Sequence, residues 1–378
     1  MAAGFLGQGS YFAVLVGPAA IAPVLQQAYH LSLPALGLVL AASNAGSLLT
    51  LFAWGVVADR VGERLVLAIG MTATAAALVG PALLGTRTVL LVALAAAGAL
   101  GAGVNSASGR AVTGWFDASQ RGLALGIRQT AVPVGGAVAA LVLPRLAHGA
   151  NAKPAFLFLS ALCLASAAAG AIILRGTTRQ ERRVGRGPLW DTRLWRLGAA
   201  CTLLVVAQIS VITFSPLLLH RQRGFSLAAA GTVLAVTQVF GAGGRIFAGW
   251  ASDVVGVRVR LIKVVAWCLV AALLLTTLLI NGPLPLLVPA LVAAGAFGLS
   301  WNGLAFTATV EFAGGGHSGS AIGFQQTLLA IGSVAAPIMF AAVTAETSWR
   351  LAFALVALAP LLGILVLAPL AESGPSPG

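Results

Sequence analysis

The sequence predicts an all-α membrane protein of twelve transmembrane helices, arranged as two pseudo-symmetric six-helix bundles. Three observations carry this prediction. Apolar residues make up 59% of the 378 residues and charged residues only 8%, and the mean hydropathy is +0.99. The apolar residues fall into twelve segments, each near the roughly 20 residues that a spanning helix needs. A polar motif at the end of one apolar segment also recurs half a chain later.

Short loops separate the twelve segments, except for one long polar stretch at 175–196 that is rich in arginine. We therefore predict an N-terminal bundle over 1–174, a basic cytoplasmic linker over 175–196 and a C-terminal bundle over 197–378. The predicted spans are 5–28, 35–58, 65–84, 89–113, 121–145, 154–174, 197–218, 227–251, 261–281, 285–311, 319–343 and 350–371.

The lysines and arginines of the loops predict the orientation of the chain. With the N-terminus inside, the cytoplasmic loops hold thirteen of them and the opposite loops six. Cytoplasmic loops carry an excess of Lys and Arg. This bias predicts that both termini face the cytoplasm, in a multi-pass protein of the cell membrane whose partner is the lipid bilayer.

The recurring motif has the pattern G-x3-D-x2-G-x-R. It reads GVVADRVGER at 55–64 and GWASDVVGVR 194 positions later. We expect the first glycine of each copy to permit close helix approach and the second to form a tight turn. The matched residues are Gly55, Asp59, Gly62 and Arg64 in the first copy and Gly249, Asp253, Gly256 and Arg258 in the second.

The repeat extends beyond this motif into the apolar segments. Polar residues rarely recur in register by chance in a chain dominated by Gly, Ala and Leu. Internal repeats in membrane proteins place a binding site near the midplane, between the repeats. The paired positions are Asn44 with Gln238 at an offset of 194, and Tyr11 with Gln208, Asn105 with Asn302 and Gln129 with Gln326 at an offset of 197.

On these residues the chain resembles a transporter of the major facilitator superfamily, whose hallmark G-x3-D-R-x-G-x-R includes Arg60 here. The resemblance implies two bundles around a central cavity, alternating access, and loop motifs that hold the cytoplasmic side shut in one state. The second copy has Val254 where the family has arginine. The helix-five motif of drug–proton antiporters is broken at Ala139 and Ala140, so antiport of drugs loses support.

Three arginines lie within predicted spans, namely Arg110, Arg128 and Arg245, whereas no Asp or Glu lies deep in any span. Charges inside a membrane are costly and usually functional. We therefore predict a positive cavity and an anionic substrate, with Arg110 acting as a gate. Arg245, in an R-x3-G context, resembles the arginine of oxalate and monocarboxylate carriers in the superfamily, although Gly241 stands where those carriers often have aspartate.

Uncharged polar residues complete the predicted cavity. They lie within the spans, many of them at pseudo-symmetric positions, and they supply hydrogen-bond donors and acceptors. Trp301 and Thr213 add to this wall. The predicted substrate-binding set is Arg245, Arg128, Tyr11, Asn105, Gln129, Gln208, Gln238, Asn302, Gln325 and Gln326.

The function predicted from these residues is uptake of a small, carboxylate-like organic anion by a secondary or facilitative transporter, with any coupling proton travelling with the substrate as symport. The alternative is an efflux pump for drugs or hydrophobic metabolites, which would require a buried carboxylate. An enzyme is disfavoured because no nucleophile–base pair, metal cluster or phosphate loop occurs. We predict a monomer with no cofactor, no metal and no nucleic-acid partner, although the net charge is +13.

Overall fold

The computed structural model describes residues 2–104, 129–173, 191–313 and 318–370, and that part of the chain is built from α-helices. Of the predicted linker 175–196, residues 175–190 lie outside the described residues, and the remaining residues lead into a helix that starts at Thr192. The described helices, in chain order, are α1 (Ala2–Ala20), α2 (Ala22–Ala28), α3 (Leu33–Val61), α4 (Glu63–Leu83), α5 (Arg87–Gly101), α6 (Ala131–Leu146), α7 (Lys153–Ile173), α8 (Thr192–Arg223), α9 (Leu227–Val255), α10 (Val259–Leu279), α11 (Leu284–Ser300), α12 (Asn302–Ala313), α13 (Ser318–Glu346) and α14 (Trp349–Leu367).

The described helices coincide in position with the predicted membrane spans. Among the described residues, nine spans are long and apolar enough to cross a bilayer, or ten if the bent pair α1–α2 is counted as one. Two shorter apolar helices, α5 and α6, border the undescribed residues 105–128. The described helices are thus consistent with twelve spans.

The first predicted span, 5–28, is two helices that meet at Ile21 with a bend of 64°. Pro23 explains the break. Proline has no N–H to donate to a carbonyl one turn earlier, and its ring clashes with that turn. Proline is tolerated in the first turn of a new helix, where the N–H would have no helical partner. The chain therefore ends α1 at Ala20 and starts α2 at Ala22.

The tenth predicted span, 285–311, is interrupted at Trp301, between α11 and α12. In an unbroken helix the carbonyl of Leu299 would accept a hydrogen bond from the N–H of residue 303. Here that carbonyl accepts from two side chains, Arg245 Nε at 3.1 Å and Asn302 Nδ2 at 3.2 Å. Side chains that enter the backbone ladder are a known cause of such irregularities.

The chain forms two compact units. The first comprises Met1–Gln180, Ile212–Val236 and Pro337–Ala342, and the second comprises Glu181–Val211, Thr237–Ala336 and Val343–Gly378. In the first unit, α4 packs on α5 and α7, α3 packs on α5, and α1 packs on α6 and α7. In the second unit, α10 packs on α11, α12 and α14.

Equivalent helix contacts inside the two units support the register of the repeat. A β-carbon at Gly98 would overlap the Ser43 carbonyl, and one at Gly295 would overlap the Thr237 side chain. The sequence offsets of 197 and 194 pair these glycines and these partners with each other. Small residues let helices approach closely in a membrane. The two halves therefore have glycines at equivalent positions, where equivalent helices cross.

Candidate functional site

Arg245 lies on α9, within the apolar span 227–252, and only 6% of its surface is exposed. Its Nε donates to the carbonyl oxygen of Leu299 at 3.1 Å. Its Cγ lies 3.8 Å from the position that a β-carbon would take on Gly303. The missing side chain at Gly303 thus leaves space for the arginine stem beside the helix interruption.

Two other predicted residues are linked to Arg245 through hydrogen bonds. Asn302 begins α12, and its Nδ2 donates both to that carbonyl and to Oε1 of Gln208 on α8, the latter at 3.1 Å. Gln208 is itself buried. Hydrogen bonds therefore connect Arg245, Leu299, Asn302 and Gln208 across α8, α9, α11 and α12, all within the second unit. We call these four residues the Arg245 cluster.

Three further buried polar atoms of the second unit have no hydrogen-bond partner among the described residues: Oε1 of Gln238, Nε1 of Trp301 and Oγ of Ser210. Buried polar atoms are nearly always bonded, so each of these needs an explanation. The sequence predicted Gln238 and Trp301. It missed Ser210, whose signal was a serine in an otherwise apolar stretch of α8.

The glutamines of α13 differ in their surroundings. Gln325 is buried, and its Nε2 donates to the carbonyl of Ala305 at 3.4 Å and approaches Sγ of Cys201 at 3.7 Å. It therefore joins α13 to α12 and α8 within the second unit. Gln326 is half-buried.

In the first unit, Tyr11 is fully buried, and its hydroxyl donates to the carbonyl of Gly98 at 2.8 Å. Its ring packs on Gly101 as Gln208 packs on Gly298, which is the pseudo-symmetric pair. The position of Tyr11 is that of a packing residue between α1 and α5.

Gln129 accepts a hydrogen bond at 3.1 Å through its Oε1 from Nε2 of Gln8, a buried residue of α1 that the sequence did not single out. The sequence feature that could have indicated Gln8 is that it is the one glutamine in the apolar helix α1. The predicted site residues Asn105, Arg110 and Arg128 lie outside the described residues.

The duplicated motif forms the turns that the sequence predicts. Gly62 has φ of 80° and Gly256 has φ of 71°, the left-handed region that suits glycine. The expected close approach at Gly249 is not found within the described part of the chain, where nothing lies within 4 Å of its β-position. The surroundings of Gly55, Asp59, Arg60 and Asp253 lie outside what the structure describes.

The arginines of the two motif copies differ in what they contact. Arg64 is exposed at the start of α4. Arg258 forms an ion pair with Glu311 at the end of α12, with Nε 3.1 Å from Oε1, and its guanidinium also donates to Ser252. The second motif therefore ties the α9–α10 loop to α12 within the second unit.

Metal binding finds no support in the part of the chain that the structure describes. No group of three or more His, Cys, Asp or Glu side chains gathers there. The buried donors and acceptors around Arg245 are instead suited to an organic ligand.

A family model described as Major Facilitator Superfamily matches residues 3–337. The chain is also 35% identical over 362 residues to an uncharacterized MFS-type transporter of Mycobacterium tuberculosis strain H37Rv, Rv2994, covering 94% of this chain and 81% of the relative. A counterpart from strain CDC 1551, MT3072, matches with the same identity and coverage. The protein belongs to the major facilitator superfamily and is a multi-pass membrane transporter.

Solved structures agree on the fold. The chain resembles a bacterial homologue of the human lysosomal transporter Spinster in an inward-facing, occupied conformation, with a TM-score of 0.81, 15% identity and coverage of 97% of this chain and 95% of the other. The unoccupied inward-facing form of that homologue gives a TM-score of 0.75 at 16% identity, covering 97% and 93%.

Proposed function

We propose that this transporter carries a small organic anion, of the carboxylate type, across the cell membrane by alternating access. The observation that carries the proposal is Arg245, a cation buried in an apolar span and bonded into a cluster of amide side chains. Membrane-embedded charges mark substrate pathways in transporters. The sequence places no Asp or Glu deep in any span, and an anionic substrate would complement the charge of the buried guanidinium.

The chemistry of the Arg245 cluster favours a carboxylate over other anions. A guanidinium presents planar, paired N–H donors that match a carboxylate bidentately. The bond from Nε to Leu299 fixes the plane of the guanidinium, because one donor is held by a backbone group. A bound carboxylate would add charge-assisted hydrogen bonds, which are about twice as strong as neutral ones.

The remaining polar groups of the second unit supply contacts for the rest of the substrate. Trp301 Nε1 is a donor and Gln238 Oε1 is an acceptor, and both are buried without a partner among the described residues. A substrate that reaches them would offset the cost of leaving them unbonded, which is about 1–3 kcal/mol each. Gln325 and Gln326 belong to the same proposed set.

The proposed substrate-binding set also includes residues of the first half of the chain. Arg128, Asn105, Gln129 and Tyr11 remain substrate-binding residues of the proposal by the repeat register. Arg128 and Arg245 have Gln325 and an apolar residue at their pseudo-equivalent positions, so the charge is asymmetric. We assign the motif residues, including Arg60, Arg64, Arg258 and Arg110, to gating rather than to substrate contact.

We further propose import by symport in a monomer, with both termini cytoplasmic. The charge bias of the loops supports the orientation. A proton would enter with the substrate, because the spans offer no carboxylate to carry it. The absence of a carboxylate in the spans distinguishes this proposal from an efflux pump, which needs a buried carboxylate to couple proton movement to export.

The experiment is uptake into proteoliposomes of a panel of mono- and dicarboxylates and inorganic anions, with and without a pH gradient. We expect accumulation of at least one carboxylate, and its loss in Arg245→Ala and Arg128→Ala. Arg145→Ala is the matched control, since Arg145 is exposed and bonds to the Leu141 carbonyl of its own helix. Full uptake by both variants, or transport of lipophilic cations instead, would contradict the proposal.

A further inference from the structure

A cavity of about 490 Å³ lies in the first compact unit, separate from the Arg245 cluster. Its walls come from α2 and the loop that follows it, from the loop at 147–152, and from the end of α8 and the start of α9. Ligand pockets for small molecules are commonly about 300–1,000 Å³. The charge bias of the loops places this cavity on the external side.

One wall of the cavity is held in a strained conformation. His30 has φ of 49°, and it is the non-glycine residue with positive φ among those described. Arg87 fixes it, because its guanidinium donates to the carbonyl of Tyr29, at 2.7 Å, and to the carbonyl of His30. Such strain persists only where the surroundings impose it, and it concentrates at functional sites.

The opposite wall carries a fixed imidazole beside an arginine. Nδ1 of His220 lies 2.7 Å from the carbonyl of Phe225. A carbonyl only accepts, so Nδ1 carries a proton. Nε2 then accepts in the neutral ring and donates to an anion in the imidazolium form. Arg221 follows directly and also lines the cavity.

The electrostatics of the lining favour an anion. Leu227, the first residue of the 29-residue helix α9, lies on the wall, and helix N-termini attract negative charge. Arg221 adds a cationic group, and the lining contains no Asp or Glu. Each of these groups makes the electrostatic potential in the cavity more positive.

Gln26 on α2 adds a requirement for a hydrogen-bond donor. It is 5% exposed, its Nε2 donates to the carbonyl of Leu31 at 3.4 Å, and its Oε1 has no partner among the described residues. Both Gln26 and Leu31 line the cavity. A ligand that satisfies this acceptor must carry a hydroxyl or an amine. The charge of a cationic amine would be repelled by Arg221 and by the N-terminus of α9, so a hydroxyl is favoured.

We propose that this cavity binds a small hydroxycarboxylate, with the carboxylate at Arg221 and the imidazolium form of His220 and the hydroxyl at Gln26. The site lies at the ends of α2 and α8 and the start of α9, on the side that the proposed orientation makes external. It does not depend on Arg245 or on the identity of the transported substrate.

The test measures binding of L-lactate to the full-length protein in lipid nanodiscs by saturation-transfer NMR of the lactate methyl group. Arg245→Gln serves as the background, so that binding at the proposed transport site does not contribute. Propionate, which lacks the hydroxyl, is the comparison ligand. The variants Arg221→Gln, His220→Gln and Gln26→Leu are compared with Arg145→Gln, an exposed arginine that does not line the cavity.

We expect lactate to bind in the Arg245→Gln background and Arg221→Gln or His220→Gln to weaken it about tenfold, as the loss of one charge-assisted hydrogen bond implies. Gln26→Leu should remove the preference for lactate over propionate, and Arg145→Gln should leave lactate binding unchanged.

Absence of lactate binding in the Arg245→Gln background, or unchanged binding in both Arg221→Gln and His220→Gln, would overturn the proposal. If Arg245→Gln does not fold, the same comparison in the wild-type background decides it. If Arg245→Gln loses uptake but still binds lactate, the proposed transport site and this cavity are distinct sites.

Discussion

Arg245 illustrates how a single charged residue is accommodated inside an apolar span. Gly303 leaves room for its stem, and the carbonyl of Leu299 accepts a bond from its Nε. Burial of a charge is tolerated only with such polar partners. The sequence identified Arg245 from its charge and its position in the span. It did not indicate Leu299, because a backbone carbonyl leaves no trace in residue type.

Tyr11 and Gln208 show where residue type misleads. They occupy pseudo-equivalent positions and both pack against a glycine of the neighbouring helix. Tyr11 donates to a backbone carbonyl, whereas Gln208 accepts from Asn302 in the Arg245 cluster. A polar residue in a membrane span predicts a hydrogen bond, but its partner depends on three-dimensional packing.

At the residue scale, we predict that Gly98→Ala destabilises the protein by about 1–3 kcal/mol, the usual cost of overpacking. The added methyl group would overlap the backbone carbonyl of Ser43, so α3 and α5 must separate. The measurement is the thermal unfolding midpoint in detergent.

Gly243→Ala is the matched control, because it lies in the interior of α9 with nothing within 4 Å of its β-position. It should be neutral or stabilising, by up to about 1 kcal/mol from helix propensity. Equal shifts in the two variants would show that the α3–α5 crossing is not as close as described.

At the scale of helices, the sequence located the described spans but not their irregularities. The predicted span 261–281 corresponds to α10 at Val259–Leu279 because apolar runs mark membrane helices directly. The bend at Ile21 had a visible signal in Pro23. The interruption at Trp301 had none, since it comes from side chains of α9 and α12 that compete for one carbonyl.

The ion pair between Arg258 and Glu311 joins the second motif to α12, and its effect should be kinetic. We predict that Glu311→Gln changes the maximal transport rate with little change in KM, because the pair joins the α9–α10 loop to the end of α12 and is not part of the Arg245 cluster. Stability should fall by no more than about 1 kcal/mol, as for partly exposed pairs. Transport kinetics in proteoliposomes measure the rate and KM, and thermal unfolding measures the stability.

Glu346→Gln, at the exposed end of α13, is the control for this substitution and should leave the rate unchanged. A rise in KM with an unchanged rate in Glu311→Gln would instead place Glu311 in substrate binding.

Asp191 precedes α8 and gives a prediction about pH. Its Oδ1 accepts from the backbone N–H of Arg193 at 2.8 Å, and its Oδ2 pairs with the Arg193 guanidinium at 2.8 Å. The side-chain hydrogen bond from Arg193 lowers the pKa of Asp191 below its ordinary value. A lowered pKa stabilises the folded state above the unfolded-state pKa, and this stabilisation is lost as the pH falls through the folded-state pKa.

Asp191→Asn should therefore unfold at a lower temperature than the wild type at neutral pH. The difference should shrink once the pH falls below about 3.9, the ordinary pKa of aspartate. Asparagine can still cap the helix, so the change isolates the charge. Unfolding midpoints measured across pH provide the test, and a difference that does not depend on pH would contradict the assignment.

At the scale of the whole molecule, the repeat register was the most informative prediction. It pairs contacts within one unit with contacts within the other, such as Gly98 with Ser43 and Gly295 with Thr237. The chain segments that make up each compact unit could not be predicted from their order in the sequence. Gly37 lies against Pro337 and Gly231 against Ala140, which places parts of the second half of the chain in the first unit.

The central claim is that Arg245 recognises the charge of the substrate, and the most direct measurement is charge selectivity. Uptake of the preferred carboxylate and of its neutral amide is compared in proteoliposomes of wild type and Arg245→Gln, with Arg145→Gln as control. Removing a buried guanidinium–carboxylate hydrogen bond lowers kcat/KM by about 10–100-fold. The account predicts that wild type and Arg145→Gln prefer the carboxylate by at least that factor and that Arg245→Gln shows no such preference. A preference retained in full by Arg245→Gln would contradict it.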